Sequence, residues 1–562
     1  MNSKPVIYQL LPRLFTNFND SCVPGGTIEQ NGSGKLRSIN QATLRSIADM
    51  GFTHVWLTGV IEHTHCSDYT EIGIPRDNPH VIKGKAGSPY SIKDYYDIDP
   101  DLAVDPRNRI REFEDTVRRI HAAGLKVIID FVPNHVARQY RSDSRPAGAP
   151  EDFGKEDYTN MFFAPTNSFY YIPGHKFAPT IDLGSGPDAY FEYPAKASGN
   201  DCFTASPGQY DWYDTVKLNY GIDPANGWRH FTPTPATWKK MLHILQYWAD
   251  KGVDGFRCDM AHMVPLEFWQ WAIPQVKEKH PGVIFIAEIY DINLYRPFIE
   301  IGGFDYLYDK VGLYDTLRDI VTWGRSASDI TRSWQKVDGH QHNMLYFLEN
   351  HDEQRFASAE FAGDPFKAMA PMAVSALLGP GAVMVYAGQE LGEPGADAEG
   401  YSGHDGCTSI FDYWSVGTLR RWLNNGRPSL KNLSADERRL RDSYSRLLNI
   451  ATSEAAVREG TFFDVMYVNN EKTDGFNPER QYAFLRHFGN ETLLVVANFD
   501  DKEADVKVNI PLHAFNTLRI SEGARAATEL LTGRSESHAI DSHTPFQTAV
   551  PAHGAVVWKW TD

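Results

Sequence analysis

The amino-acid sequence predicts an α/β protein: a closed (β/α)8 TIM barrel with an inserted domain after the third strand and a C-terminal all-β sandwich domain. Three observations predict this fold. Eight short apolar runs alternate with segments of helical period, the third and fourth runs are separated by a stretch too long for one crossover helix, and the last part of the chain contains mainly strand patterns. A chain of 562 residues has room for several such domains.

The eight apolar runs are the predicted barrel strands. Between them, hydrophobic residues recur with the period of a helix, and glycine follows many of these segments as a C-cap. Alternation of this kind indicates a parallel sheet with crossover helices, and eight repeats predict that the sheet closes. The strands are predicted at 6–15, 54–60, 126–135, 255–259, 284–288, 304–309, 344–352 and 382–390, and the helices at 39–50, 109–123, 238–251, 265–279, 365–378 and 435–450.

The gap and the final segment define the other two domains. Residues 136–217 are rich in Gly, Pro, Ser, Asp and aromatic residues, and we assign them to the inserted domain. The catalytic barrel then comprises 1–135 and 218–454, and the C-terminal β domain comprises 455–562. Strand patterns in that domain lie at 482–485, 493–497 and 555–558, with turn residues between them.

Composition excludes several classes of function. The net charge of −17 repels phosphate backbones and anionic lipid surfaces, so we expect neither nucleic acid nor a membrane as partner. No stretch approaches the roughly 20 apolar residues of a membrane span. The chain opens on a strand pattern without a leader-type cleavage site, and its five scattered cysteines favour a reducing compartment. We expect a cytoplasmic protein, or a periplasmic or extracellular one if a signal peptide has been removed.

Acidic residues follow the apolar half of several predicted strands, at the end where a TIM barrel builds its site. The two-residue period of a strand puts Arg257 and Asp259 on one side, where the guanidinium is expected to lower the pKa of Asp259. Glu288 follows an apolar run, where desolvation is expected to raise its pKa. A charged acid beside a protonated one is what double-displacement cleavage of a glycosidic bond requires.

Four motifs in order carry a resemblance to a known family: 130–135, 255–259, 285–288 and 349–352, supported by 88–90, 94–100, 379–381 and 386–390. With these motifs the sequence resembles the α-amylase family, glycoside hydrolase family 13. The resemblance implies Asp259 as nucleophile, Glu288 as general acid/base and Asp352 as the carboxylate that binds sugar hydroxyls. It further implies substrate-binding roles for Tyr90, His135, Arg257 and His351. For Asp130, inside strand three, we favour a structural ion pair or hydrogen bond over catalysis.

The sequence departs from the family pattern at three places. His262 and Met263 stand where many members carry a Lys-His pair, so His262 is predicted to bind sugar on the leaving side. Lys217 lies in a Val-Lys-Leu-Asn segment where many members have Leu-Pro-Asp, so a calcium carboxylate is missing. Asn134 remains a candidate calcium ligand; we expect no required cofactor, with calcium as an open alternative. For the missing donor-side Arg-Asp pair, the available acids are Asp397, Glu399 and Asp405.

Histidine spacing does not indicate a transition-metal site, and we interpret His63, His65, His175 and His404 as polar loop residues. Some tyrosines at 170–171 and 210–220 are candidate sugar platforms.

The leading hypothesis is a retaining hydrolase of α-1,4-glucans such as starch, glycogen or maltooligosaccharides, working through a covalent Asp259 intermediate. The alternative is a glucanotransferase or maltosyltransferase, since 211–219 resembles those members. A non-catalytic glucan-binding protein is least favoured because all three acids remain. The oligomeric state is left open.

Overall fold

The computed structural model describes residues 4–337, 339–401 and 403–562. The first three residues of the predicted barrel range therefore lie outside it. The centre of the molecule is a closed barrel of eight parallel strands. Each strand is hydrogen-bonded to its neighbours in chain order, and the eighth strand closes on the first. This confirms the predicted fold class. The strands are β1 Val6–Leu10, β2 His54–Leu57, β3 Lys126–Phe131, β4 Gly255–Cys258, β5 Ile284–Ala287, β6 Tyr306–Tyr308, β7 Met344–Phe347 and β8 Ala382–Tyr386.

All eight strands fall inside the predicted runs, because each run is apolar and buried on both faces, as a parallel sheet requires. The helices agree with the predictions to within a few residues, except that the predicted helix 365–378 begins with a 3-10 turn, Pro365–Ala368. The α-helices are Pro12–Phe15, Ile28–Asn31, Gln41–Ala48, Arg109–Ala122, Ala236–Asp250, Leu266–Lys279, Tyr295–Glu300, Asp315–Trp323, Asp329–Lys336, Met369–Leu377, Gly417–Leu423, Ala435–Ser453, Ala455–Arg458 and Leu512–Leu518.

Strand register brings the acidic residues to one level. Cys258 on β4 lies beside Phe131 on β3 and Ala287 on β5. The chain then continues the ladder by one step, since the Asp259 amide donates to the Phe131 carbonyl at 2.9 Å and the Glu288 amide donates to the Cys258 carbonyl at 3.1 Å. Asp259 and Glu288 therefore leave adjacent strands at the same rim of the barrel.

The inserted segment between β3 and β4 has little regular structure. Its strands are short pairs: His135–Ala137 with Thr215–Lys217, and Tyr171–Ile172 with Ala195–Lys196. Its separate apolar cluster is small and includes Phe177, Ala195 and Tyr213. Other apolar side chains of the segment, such as Phe153, Phe169 and Val216, belong to the main core, so packing on that core as well as hydrogen bonds holds this domain over the barrel rim. A further pair, Ile61–His63 with Ile92–Ile98, lies after β2.

The C-terminal domain is built mainly of strands, as predicted, and these strands pair antiparallel. Its large sheet has six strands in the order Thr461–Asp464, Gln481–Phe488, Glu491–Asn498, Ala555–Thr561, Gly523–Glu529 and Arg534–Ile540. A two-stranded sheet, Ala504–Val508 with Phe546–Val550, packs on it through the rings of Phe546 and Trp558, whose centroids lie 5.7 Å apart. Among the described residues, no helix combines the length and hydropathy that a membrane crossing requires.

Candidate active site

One buried guanidinium organises the acidic residues at the C-terminal rim of the barrel. Arg257 lies on β4, and its side chain is fully buried. Its Nη1 is 2.8 Å from Asp259 Oδ1 and 3.6 Å from Asp130 Oδ1, and its Nη2 is 2.8 Å from Glu288 Oε1 and 4.0 Å from Asp352 Oδ2. The three acids predicted for catalysis therefore converge around one cation, although they come from three strands.

The expected pKa of Asp259 is wrong in direction. Arg257 does lower the pKa of this carboxyl, but burial and the nearby Glu288 raise it more, so the pKa lies well above the ordinary aspartate value. The main physical reason is that burial takes this carboxyl out of water; in addition, one cation is shared by four carboxylates, whereas the sequence argument assigned it to Asp259 alone. Partial desolvation in the cleft and the charge of Glu288 likewise raise the pKa of Asp352. The pKa expectation for Glu288 stays a prediction.

The second oxygen of Asp259 is available for chemistry. While Oδ1 accepts from Arg257, the buried Oδ2 has no hydrogen-bond partner among the described residues. Buried polar atoms are rarely left unpaired, and an unpaired one marks a place where a ligand or reacting atom belongs. This oxygen is therefore the group best placed to attack a bound substrate.

A strained backbone position orients Glu288. Met260, directly after Asp259, is left-handed with φ 43° and ψ 46°, a conformation that costs free energy for a residue with a side chain. In this conformation its amide donates to Glu288 Oε2 at 2.8 Å. Tyr290 donates to the other oxygen, Oε1, at 2.6 Å. The turn and the tyrosine together hold the carboxyl of Glu288 in one orientation.

Asp352 is presented by the turn after β7, where its amide donates to Asn350 Oδ1 at 2.8 Å. Its Oδ2 lies 3.1 Å from His351 Nε2. Gln9 Nε2 lies 2.7 Å from His351 Nδ1, so the ring proton sits on Nε2 and faces Asp352. Burial and the Arg257 charge hold the pKa of His351 well below its usual value, which keeps the ring neutral.

Tyr90 and Asp130 complete the floor. The Tyr90 ring stacks on His351 with centroids 5.3 Å apart, and its hydroxyl donates to Asp130 at 3.3 Å. Asp130 also accepts from Trp56 Nε1 at 3.2 Å and from the Gly59 amide at 3.0 Å. These contacts occupy Asp130 with structural hydrogen bonds, which is the role favoured from the sequence.

A cavity of about 310 Å³ opens above these groups. Of the predicted site residues, Tyr90, His135, Asp259, Glu288 and Asp352 line it, while Arg257 and His351 lie beneath its surface. It is also lined by residues that sequence reasoning did not assign individually: Lys83, Ser88, Trp212, Asp214, Thr215, Met260, Tyr290, Ile410 and Phe411. Several of them carried a usable signal: Tyr290 lies two residues after Glu288, Met260 directly follows Asp259, and Ser88 and 212–215 lie in segments singled out from the sequence. Lys83, Ile410 and Phe411 come from loops without periodicity.

Several predicted residues lie away from this cavity. His262 is half-buried at its edge, with its ring centroid 6.4 Å from that of Tyr290. Asp397 accepts from Trp414 Nε1 at 3.2 Å, and Asp405 accepts from the Cys407 amide at 3.0 Å. Glu399 is buried and accepts from the Ser409 amide. These three acids have structural contacts and do not line the cavity.

The histidines taken as loop residues divide into two pairs. His175 and His404 are exposed in loops, as expected. The prediction of a loop residue is wrong for His63, which ends the strand Ile61–His63, is buried, and lies 2.9 Å from Asp99. His65 is also buried. Local polarity does not predict this burial, because the segment after β2 pairs with a strand about 30 residues later.

The candidate calcium ligand Asn134 already faces a cation. Its Oδ1 accepts from the Lys217 ammonium, which also lies 2.6 Å from Asp201 Oδ1. A calcium ion takes six to eight oxygens, whereas here an ammonium fills the space among the available ones. The residues present therefore do not fit a calcium ion.

Comparisons with known proteins agree with this geometry. The family model for the alpha-amylase catalytic domain matches residues 9–291. The sequence is 26% identical over 351 residues to the alpha-amylase MalA of Haloarcula japonica, covering 62% of this chain and 40% of the relative. It is 24% identical over 289 residues to an alpha-1,4-glucan:maltose-1-phosphate maltosyltransferase of Picrophilus torridus, covering 50% and 39%.

The chain thus spans less than half the length of either of these relatives. A solved structure of an alpha-amylase from Geobacillus thermoleovorans, complexed with acarbose, superimposes with a TM-score of 0.64 at 18% identity, covering all of both chains. At that identity the likeness shows the fold. Since the family model covers half of the chain and the ordered motifs meet in one cleft, the chain belongs to the alpha-amylase family, glycoside hydrolase family 13.

Proposed function

We propose that this chain is a retaining glycoside hydrolase acting on α-1,4-glucans. The observation that carries the proposal is the unpaired Asp259 Oδ2 beside Glu288 at the base of the cavity. A nucleophilic carboxylate next to a proton donor is the arrangement of double-displacement glycosidases.

The first step forms a bond between Asp259 Oδ2 and the anomeric carbon of the bound sugar. The bond from that carbon to the leaving oxygen breaks, its electron pair goes to the oxygen, and Glu288 supplies the proton. In the second step Glu288 takes a proton from water, the water oxygen bonds to the anomeric carbon, and Asp259 is released. The product keeps its anomeric configuration because the carbon is inverted twice.

The remaining groups position the sugar. Asp352 lines the cavity, where its carboxylate suits sugar hydroxyls. His351 lies beneath the surface, where its Nε2 is within hydrogen-bond reach of the Tyr90 hydroxyl and of Asp352 Oδ2 and so orients these two groups. The half-buried Tyr90 ring offers an apolar face, and His135 lies beside Trp212, with ring centroids 5.1 Å apart. Burial lowers the pKa of His135 to about 3, so it meets the sugar as a neutral ring. A glucan is proposed because the relatives include an alpha-amylase and the similar structure holds acarbose.

Transfer is the second candidate. The same glycosyl-Asp259 intermediate can pass its sugar to another sugar or to phosphate instead of water. Two observations favour it: the maltosyltransferase relative, and the position of Trp212, Asp214 and Thr215 at the cavity, within the segment that resembles such enzymes. Lys83, 3.1 Å from Asp214, adds a cation to the same wall.

Product analysis separates the two candidates. Maltoheptaose is incubated with the protein, alone, with phosphate, and with excess glucose as acceptor, and products are separated by chromatography. Hydrolysis predicts shorter oligosaccharides in all three incubations, with the α-anomer formed first by NMR. If the main products were maltose-1-phosphate or oligosaccharides longer than the substrate, the protein would be a transferase rather than a hydrolase. A β-anomer formed first would contradict retention.

A further inference from the structure

The junction between the barrel and the inserted domain contains a buried ammonium surrounded by oxygens. Lys217 ends the strand Thr215–Lys217 and is 7% exposed. Its Nζ lies 2.6 Å from Asp201 Oδ1, donates to the Met263 carbonyl at 3.2 Å and donates to Asn134 Oδ1. We propose that Lys217 is the resident cation of this junction and that its ammonium does there what a bound metal ion would do.

The number of ligands fits an ammonium. It has three N–H donors, and three oxygens surround it. The amide of Asn134 is oriented for this contact, because its Nδ2 donates to the Gly199 carbonyl at 2.8 Å and so turns Oδ1 toward Lys217.

The charges fit as well. Asp201 is the carboxylate of the set, so one positive charge gives a neutral pair. While the ammonium is in place these three oxygens are already paired, so a divalent ion could use them only after Lys217 is removed and would then need water molecules to complete its ligands.

The contacts join three separate segments close to the catalytic residues. Asn134 follows β3, Asp201 belongs to the inserted domain, and Met263 lies in the turn that carries Asp259. Lys217 itself pairs in register with His135, which lines the cavity. The ammonium therefore ties the inserted domain to the loop of the proposed nucleophile.

The wild-type protein gives the first test, by melting temperature and metal analysis. Dialysis against EDTA should leave the Tm unchanged, and calcium should not bind at this junction. One calcium ion per chain that is lost when Asn134 is replaced by Ala would overturn the proposal. This measurement does not depend on any lysine variant folding, and neither readout involves the substrate, so it is independent of the proposed hydrolase activity.

The variant Lys217→Ala gives the second test. Removing the ammonium frees Asn134 Oδ1, Asp201 Oδ1 and the Met263 carbonyl beside a cavity of about 220 Å³ that Asp201, Lys217 and Met263 line. Without metal the Tm should fall by roughly 5 °C. Added calcium should raise the Tm of the variant and recover part of this loss. This rise should be larger than the rise that calcium causes in the wild type, because the variant has an oxygen-lined vacancy.

Lys240→Ala is the matched control. Lys240 is equally buried at 7% exposure and donates to the Asp152 carbonyl at 2.9 Å, so it also joins the barrel to the inserted domain. Its loss should lower the Tm without creating a response to calcium. An unchanged metal-free Tm for Lys217→Ala, or a destabilised variant that responds to calcium no more than Lys240→Ala, would contradict the assignment of these oxygens as a cation site.

Discussion

At the residue scale, the properties of the site follow from the sharing of one guanidinium. Arg257 contacts Asp259 and Glu288 at 2.8 Å through different nitrogens, while Asp130 and Asp352 lie farther from it. Burial costs these carboxylates more than the shared cation returns, so the pKa values of Asp130, Asp259 and Asp352 lie above those of ordinary aspartates. The cluster is therefore suited to holding a proton on one acid while another acts as a base.

The variant Glu288→Gln tests the acid role. Glutamine keeps the volume, but its single carbonyl oxygen can accept from only one of the two donors, Tyr290 and the Met260 amide, and it has no proton to give to a leaving oxygen. We expect turnover of maltoheptaose to fall by at least about 10²-fold, the lower range for a positioned general acid, while binding is roughly kept. The measurements are steady-state kinetics and calorimetric binding.

Glu353→Gln is a useful comparison, because Glu353 lies one residue beyond Asp352 and contacts Lys310 at 3.4 Å. Its turnover should remain near that of the wild type. If Glu288→Gln retained wild-type turnover, another group would have to supply the proton, and the non-catalytic reading would be contradicted at the same time.

The sequence predicted which acids meet at the barrel rim better than it predicted their pKa values. Asp259, Glu288 and Asp352 each follow an apolar run, and the barrel geometry then places them at one rim. The pKa of Asp259 could not be inferred, because it depends on how many carboxylates reach Arg257 from other strands. Contacts along one strand are visible in a sequence; contacts between strands require the register.

At the scale of elements, the barrel and the inserted domain differ in how they are held. The eight strands were predictable because each is an apolar run with its own turn signals. The inserted domain has no such periodicity, and its wall of the cavity, including Trp212 and Asp214, depends on long-range hydrogen bonds. The sequence could therefore indicate that side chains of the inserted domain lie near the cleft, but it could not predict their positions.

Arg138 is central to that hydrogen-bond network. It is 3% exposed, lies 2.9 Å from Glu192 Oε1 and donates to Ser198 Oγ at 2.6 Å. Its guanidinium carbon lies 3.7 Å from the centroid of the Phe177 ring, and Nε donates to the Tyr213 carbonyl, next to Trp212. One side chain thus connects the core of the inserted domain to the cavity wall.

Replacing Arg138 by Ala should loosen the inserted domain selectively. The change removes one of the two cations beside the buried Glu192, which keeps Lys196 at 3.4 Å, together with the bonds to Ser198 and to the Tyr213 carbonyl; losing a hydrogen bond of a charged group typically costs about 1.5–3 kcal/mol. We expect protease cleavage sites to appear within residues 139–213 under native conditions and KM for maltoheptaose to rise several-fold, with the barrel still folded. Limited proteolysis with mass spectrometry, kinetics and circular dichroism measure these effects.

Arg145→Ala provides the comparison, since its ion pair with Glu151 at 3.1 Å is largely exposed and contributes little. Equal protease resistance of the Arg138 and Arg145 variants would show that the network does not hold the domain.

At the scale of the whole molecule, burial of acids links stability to pH. Burial raises the pKa of Asp309 and of Glu349 to about 7 and that of Glu399 to about 8. The folded protein therefore keeps protons that the unfolded chain has released, and stability falls as pH rises toward these values. Buried histidines act in the opposite sense: the pKa of His54 and of His135 is lowered to about 3, so their effect is complete once the pH exceeds the ordinary histidine value.

The interval from about pH 6.5 to 8 therefore isolates the carboxyls. We expect the Tm to fall by a few degrees across it, since each buried carboxyl must either ionise in the folded protein or hold its proton against solvent. Glu399→Gln identifies one source: glutamine can still accept from the Ser409 amide but does not titrate. Its Tm should depend less steeply on pH between 7 and 8 than that of the wild type. A wild-type Tm that stays constant or rises between about pH 6.5 and 8 would contradict the expected effect of the buried carboxyls. Equal slopes of Tm against pH in the wild type and Glu399→Gln would show that Glu399 ionises in the folded protein much as it does in the unfolded chain.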